Sequence, residues 1–164
     1  MAEQELRDAA RAGNLAKCKE IVKKNSKMNV NECDSSGWCP LSYATYFRHI
    51  DLVRYFLSEK KFDVNPTHTG SFLTTPVYLT CQIGDIELMN VFLEDPRTAW
   101  KQARDYGETP ISILKQNGFK EQLEVMRKFS LISSFLFLLL FLLFFVLFSK
   151  FIFFIIFSTI LNDK

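Results

Sequence analysis

Apolar residues recur at helical spacing in three similar segments: Leu15, Cys18, Ile21 and Val22, then Ile50, Val53, Phe56 and Leu57, then Ile86, Met89, Phe92 and Leu93. Positions three and four apart share one face of a helix, so each segment predicts an amphipathic helix with a single stripe to bury. A shorter helix is expected ahead of the third of them and ahead of a fourth segment. Thr75-Pro76 and Thr109-Pro110 set a capping hydroxyl before a proline at the first helical position, where the missing N–H matters least. About seven residues on, Gly84 and Gly118 can turn the chain out of that helix in the left-handed conformation. Neither helix of such a pair can bury its face alone, which requires the pairs to stack.

The last part of the chain follows another rule. From Leu131 to Leu161 there is one charge, Lys150, and neither Gly nor Pro, with apolar residues on every face. A run of this kind reads as a membrane-spanning helix, because a helix satisfies its own backbone polar groups in hydrocarbon. Leu131 to Ser149 is 19 residues, about 28 Å at 1.5 Å per residue, one crossing of a bilayer. Lys150 is expected to snorkel to an interface. Lys120, Arg127 and Lys128 precede the run, whereas only Asn162, Asp163 and Lys164 follow it. That asymmetry predicts a cytosolic N-terminal domain, a short translocated tail and a tail-anchored, single-pass protein of the ER or another endomembrane. The alternative is that the tail is a read-through of a pyrimidine-rich non-coding tract, since eleven of the 17 Phe fall in residues 129–164.

The remaining 128 residues repeat. Gly13-Asn14-Leu15, Arg48-His49-Ile50, Gly84-Asp85-Ile86 and Gly118-Phe119-Lys120 align at steps of 35, 36 and 34 residues. Seven positions before each lies Leu6, Leu41, Val77 or Ile111, and in the last three a proline precedes it: Pro40, Pro76 or Pro110. Leu6, Ala9, Leu41, Ala44, Val77, Leu79 and Ile111 are therefore the expected core of the first helices.

The segment Asn29-Val30-Asn31-Glu32-Cys33-Asp34-Ser35-Ser36-Gly37-Trp38-Cys39-Pro40-Leu41 resembles the loop and helix start of an ankyrin repeat, V-N-x-x-D-x-x-G-x-T-P-L-H-x-A. Phe62-Asp63-Val64-Asn65 and Arg48-His49-Ile50-Asp51-Leu52-Val53 match further parts of that pattern. The resemblance implies an all-α ankyrin solenoid of stacked helix-turn-helix units with loop or β-turn fingers. Four units are expected, at 1–32, 33–67, 68–103 and 104–128, followed by a transmembrane helix over 129–161 and a polar tail, 162–164. The departures matter. Ser42, Tyr78 and Ser112 stand where the family has a His, leaving the usual links between neighbouring loops unaccounted for. Cys39 stands where the family has a capping Thr. About two extra residues, with Ser71-Phe72-Leu73, lengthen the third finger, and Lys120 and Gln122 replace apolar positions of the last unit, as an outer face meeting water would require.

Charge and chemistry narrow the function. Residues 1–128 carry 18 Lys plus Arg against 17 Asp plus Glu, which disfavours nucleic acid as a partner, since phosphate binding needs a concentrated basic face. Four Cys without a CxxC pair and two His indicate neither a zinc site nor a disulfide framework. Cys18 and Cys81 fall on core positions. Cys33 and Cys39 flank one loop, where a cytosolic domain would keep them reduced. His49 has a structural place at the start of a second helix, and His68 lies in the long finger. No acid–base pair, glycine-rich phosphate loop or nucleophilic triad is evident, so no enzymatic activity, cofactor or metal is expected.

Binding remains. The family's partner specificity sits on fingertips and on the exposed side of the first helices. The resemblance thereby selects Ser35, Ser36 and Trp38, then Tyr46 and Phe47, then Phe72, Thr74, Gln82 and Ile83, and last Asp105, Tyr106 and Glu108. Trp38, Phe72 and Tyr106 would form a row of exposed aromatic fingertips. The expected function is a non-enzymatic protein–protein interaction scaffold tethered to a membrane through residues 131–161. The alternative is a soluble ankyrin adaptor, or a fragment of a larger ankyrin-bearing membrane protein.

Overall fold

The computed structural model describes residues 1–66, 75–102 and 107–162, with backbone alone at residue 133 and from 145 onward. Among them are eight helices and no strand: α1 (Ala2–Arg11), α2 (Leu15–Lys24), α3 (Pro40–Tyr46), α4 (Ile50–Ser58), α5 (Pro76–Ile83), α6 (Ile86–Glu94), α7 (Pro110–Gln116) and α8 (Lys120–Asn162). The chain divides into two units, Met1–Glu124 and Val125–Lys164.

In the first unit, local chemistry starts each helix. Thr75 accepts from the Tyr78 N–H at 3.2 Å, and Thr109 forms a reciprocal capping box with Ser112, as the Thr-Pro pairs predict. Cys39 does the same for α3 through sulfur, accepting from the Ser42 N–H at 3.4 Å. Asn14 and Asp85 cap α2 and α6. Every odd-numbered helix is left through the same conformation, with positive φ at Gly13, Arg48, Gly84 and Gly118.

The first helices pack in a row, α1 on α3, α3 on α5 and α5 on α7, while α2 lies against α4 and α4 against α6. The interior between the rows holds Leu6, Leu41, Val53, Phe56, Val77, Met89 and Phe92, all buried. Phe56 stacks on Phe62 with ring centroids 4.4 Å apart. Of the expected first-helix core, Ala9, Ala44 and Leu79 are buried as well, and Ile111 is half-buried, because α7 closes the row with fewer buried positions. Cys18 and Cys81 are fully enclosed.

Units are tied together at three recurring places. Over the turns, the His49 ring covers Gly13 and the Phe119 ring covers Gly84, so closely that a Cβ on either glycine would come within 2.5 or 2.7 Å of ring atoms. At the equivalent place between them, Arg48 reaches Asp85 by a hydrogen bond and an ion pair. In the loops, Asn31 donates to Lys61 O at 2.9 Å and accepts from the Asp63 N–H. Asn65 repeats this with Arg97 O at 2.7 Å and the Ala99 N–H. These amides supply the loop-to-loop bonds left unassigned by the Ser and Tyr replacements. At the back, Lys61 donates to Val22 O and Arg97 to Leu57 O, placing cations on the C-terminal ends of α2 and α4. Gln122 likewise donates to Gly84 O at 2.6 Å and is half-buried, so this polar residue joins units instead of meeting water.

The second unit has no such partition. Leu131, Ile132 and the apolar side chains from Phe135 to Phe144 are all more than half exposed. Among the described residues one stretch, Lys120–Phe144, is long and apolar enough to cross a membrane, with mean hydropathy 1.9 and none of it buried.

Candidate interaction surface on the third helix

The finger before α3 is organised by one carboxylate. Asp34 Oδ1 accepts from the N–H groups of Ser36 and Trp38, at 2.9 and 3.0 Å, and Oδ2 accepts from the Tyr43 hydroxyl. The Asp34 N–H donates to Trp38 O, and the Gly37 N–H donates to Asp34 O with Gly37 at φ 82°. Burial works against ionisation of Asp34, but the bonds from Tyr43, Trp38 and Ser36 outweigh it and hold the carboxyl below its ordinary range. The Tyr43 hydroxyl is pushed up to about 12, by burial first and by the bond to Asp34 second.

This turn folds the Trp38 indole back on α3. Its ring lies 5.3 Å from Tyr43 and 5.2 Å from Tyr46, the latter edge-on. Tyr46 in turn meets Phe47 edge-on at 5.2 Å, and Phe47 stacks near Tyr43 and His49. The Arg11 guanidinium, at the end of α1, lies 5.8 Å from the Phe47 centroid and 6.0 Å from that of Tyr43. His49 Nε2 pairs with Arg11 O at 3.0 Å and fixes that corner. Tyr46 and Phe47 keep 51% and 41% of their surface exposed. An aromatic surface bordered by arginine is the composition that dominates binding energy at protein interfaces.

The expected site residues are thus distributed unevenly. Trp38, Tyr46 and Phe47 come together, with Ser35 and Ser36 exposed at the tip beside them. Trp38 is half-buried, not a projecting fingertip, because the bonds to Asp34 tuck it against α3. Gln82 is exposed and Ile83 half-buried at the end of α5. Glu108 is half-buried and accepts from the Tyr78 hydroxyl at 2.9 Å, a bond between units. Phe72, Thr74, Asp105 and Tyr106, with His68, lie outside the described residues. Two members of the cluster escaped the sequence reading. Tyr43 could have been found from its spacing of three and four to Tyr46 and Phe47, whereas Arg11 reaches the cluster from another unit and carries no local signal. Among the described residues no group of His, Cys, Asp and Glu could hold a metal.

Helix pairs repeated at one period and stacked in register define a repeat solenoid, a class that works through the surface it presents. The family model of ankyrin repeats (3 copies) matches residues 6–68, and this part of the chain is built of ankyrin repeats. No curated protein matches it in sequence. Ankyrin repeats make it a protein–protein interaction module.

Proposed function

We propose that the chain is a non-enzymatic scaffold, tethered to a membrane by α8, that binds a protein partner through Trp38, Tyr43, Tyr46, Phe47 and Arg11. The exposure of Tyr46 and Phe47 beside an ordered aromatic cluster carries the reading. Burying two such rings is favourable by roughly 25 cal/mol per Å² of apolar area removed from water, and the cluster is held rigid, so little side-chain entropy is lost on binding. Tethering confines recognition to one surface and raises the effective concentration of a co-resident partner there. The basic flank before the apolar run favours a cytosolic ankyrin domain on an endomembrane.

A photo-reactive residue in place of Tyr46, in the full chain expressed in cells, tests the interface. Discrete adducts to another protein are expected, weakened several-fold when Phe47→Ala is added and absent when the probe replaces Lys19. Equal labelling from both positions would sink this surface. Carbonate extraction tests the tether separately: recovery of the chain in the supernatant would overturn membrane insertion and leave the interface standing.

A further inference from the structure

The four cysteines are of two kinds. Cys18 and Cys81 are fully buried, and burial pushes both thiols up to about 12. Cys33 and Cys39 stand at the two ends of the second unit's finger. The Asp34 N–H donates to Trp38 O at 3.1 Å and the Trp38 N–H donates back to the Asp34 side chain, so these two residues face each other across the turn. The next pair outward is Cys33 and Cys39. A disulfide needs Cα atoms about 4.4 to 6.8 Å apart, a span that two residues flanking a hydrogen-bonded turn can meet.

The two thiols sit in one small cluster at the base of the finger: Cys39 Sγ meets Ser42 Oγ at 3.2 Å, Cys33 Sγ faces Asn31 O at 3.6 Å, and each thiol shifts the acidity of the other. Their accessibility differs: Cys33 is half-buried and Cys39 is 2% exposed. Their acidity differs in the same direction. The neighbouring Cys39 thiol brings the Cys33 thiol down to about 7, against burial and the Asp34 and Glu32 carboxylates and with help from Arg7. Cys39, beside Cys33 and enclosed, is raised.

We propose that Cys33 and Cys39 form a reversible thiol–disulfide site, with Cys33 as the attacking sulfur, Cys39 as the resolving sulfur and a low-molecular-weight disulfide such as oxidised glutathione as oxidant. The Cys33 thiolate attacks one sulfur of the oxidant, whose S–S bond breaks and whose other half leaves as a thiolate that takes up a proton. Cys39 then gives its proton to solvent and attacks Cys33 Sγ, releasing the second half as a thiol. Two protein thiols are oxidised and one disulfide is reduced to two thiols, with no other reactant. Separating the attacker from the resolver suits a half-buried, acidic thiol beside a fully enclosed one. This chemistry stands whether or not the aromatic cluster is an interface.

The test uses the full chain in detergent micelles at neutral pH, incubated with oxidised glutathione, then blocked with a maleimide and read by intact mass and peptide mapping. Loss of two blockable thiols is expected, with one linked Cys33–Cys39 peptide and recovery on reduction by dithiothreitol. Cys39→Thr, which keeps a side chain able to cap α3, should stop at a stable glutathione adduct on Cys33, and Cys33→Ala should leave Cys39 unmodified. In the untreated chain, Cys33 should alkylate at least about tenfold faster than Cys18 or Cys81. A stable adduct on Cys33 in the unsubstituted chain with Cys39 still free, or modification of Cys39 ahead of Cys33, would overturn the proposal.

Discussion

The stack and the tail use the same apolar residues in opposite ways. In α4 the apolar positions Leu52, Val53, Phe56 and Leu57 are buried, while Asp51, Arg54 and Ser58 on the other side stay exposed. In α8 from Leu131 to Phe144 the apolar side chains point everywhere and remain exposed. A stripe shows that a helix's partner is another protein element occupying one side. A helix apolar all round has its partner in whatever surrounds it, and an unburied helix of this length matches the hydrocarbon thickness of a bilayer. Placing charge, then, separates the two regions better than counting hydrophobic residues.

The largest expected effect follows from ending the chain after Lys128. The truncated protein should move entirely from the carbonate-resistant membrane pellet to the supernatant, with an unchanged circular dichroism signal per residue of the stack. Retention in the pellet would break the comparison, since it would assign membrane affinity to the helices that bury their stripes.

Leu41→Ala tests the other side. Leu41 is 1% exposed between the two helical rows, and deleting a buried leucine side chain costs about 2 to 5 kcal/mol. In a stack of few units such a loss should be shared by neighbours and lower the urea midpoint of the whole stack. The same change at Leu138, 53% exposed in α8, should leave that midpoint where it is.

A smaller effect distinguishes the joints within the stack. Arg48 holds a positive φ of 59° where the other units have glycine, a conformation costing an L-residue roughly 1 to 2 kcal/mol. A side chain is tolerated there because Asp85 faces it, whereas rings cover Gly13 and Gly84. Arg48→Ala keeps the strain and removes the pairing with Asp85. Arg48→Gly removes both. The glycine variant should therefore unfold at a higher urea concentration than the alanine variant, by about 1 kcal/mol. Equal midpoints would show that the left-handed turn carries no strain.

Much of this architecture was legible in the sequence. Thr75, Thr109 and the prolines after them act locally, within one turn, and the period of 34 to 36 residues places the helix pairs. The stacking core, Leu6, Leu41 and Val77, follows from that alignment. What escaped depends on contacts between units. Asn31 and Asn65 read as part of a loop motif, but the carbonyls they hold lie in the next loop, at Lys61 and Arg97. Arg11 meets the aromatic cluster only because α1 packs on α3. Loop position alone predicts Trp38 as a projecting fingertip, whereas the Asp34 carboxylate decides where the indole goes.

That carboxylate supplies the smallest and most local prediction. Asp34 has a folded pKa below its ordinary value of 3.8, so its ionised form stabilises the finger fully above that ordinary value. The contribution fades as pH falls through the depressed folded value. The Trp38 fluorescence, isolated by Trp100→Phe, should accordingly shift towards that of a solvated indole as pH is lowered from about 5 to about 2. The change should precede loss of helical signal from the stack, because α3 keeps its own cap at Cys39. Asp34→Asn should show the shifted emission already at neutral pH, with a loss of about 1 kcal/mol or less, since only charge-assisted bonds to a partly exposed side chain are weakened. A Trp38 signal that stays flat until the helices themselves melt would mean that the aromatic ring is held by its contacts with Tyr43 and Tyr46 alone. The finger would then belong to the packed stack, and the distinction between core and presented surface would fall at Tyr46.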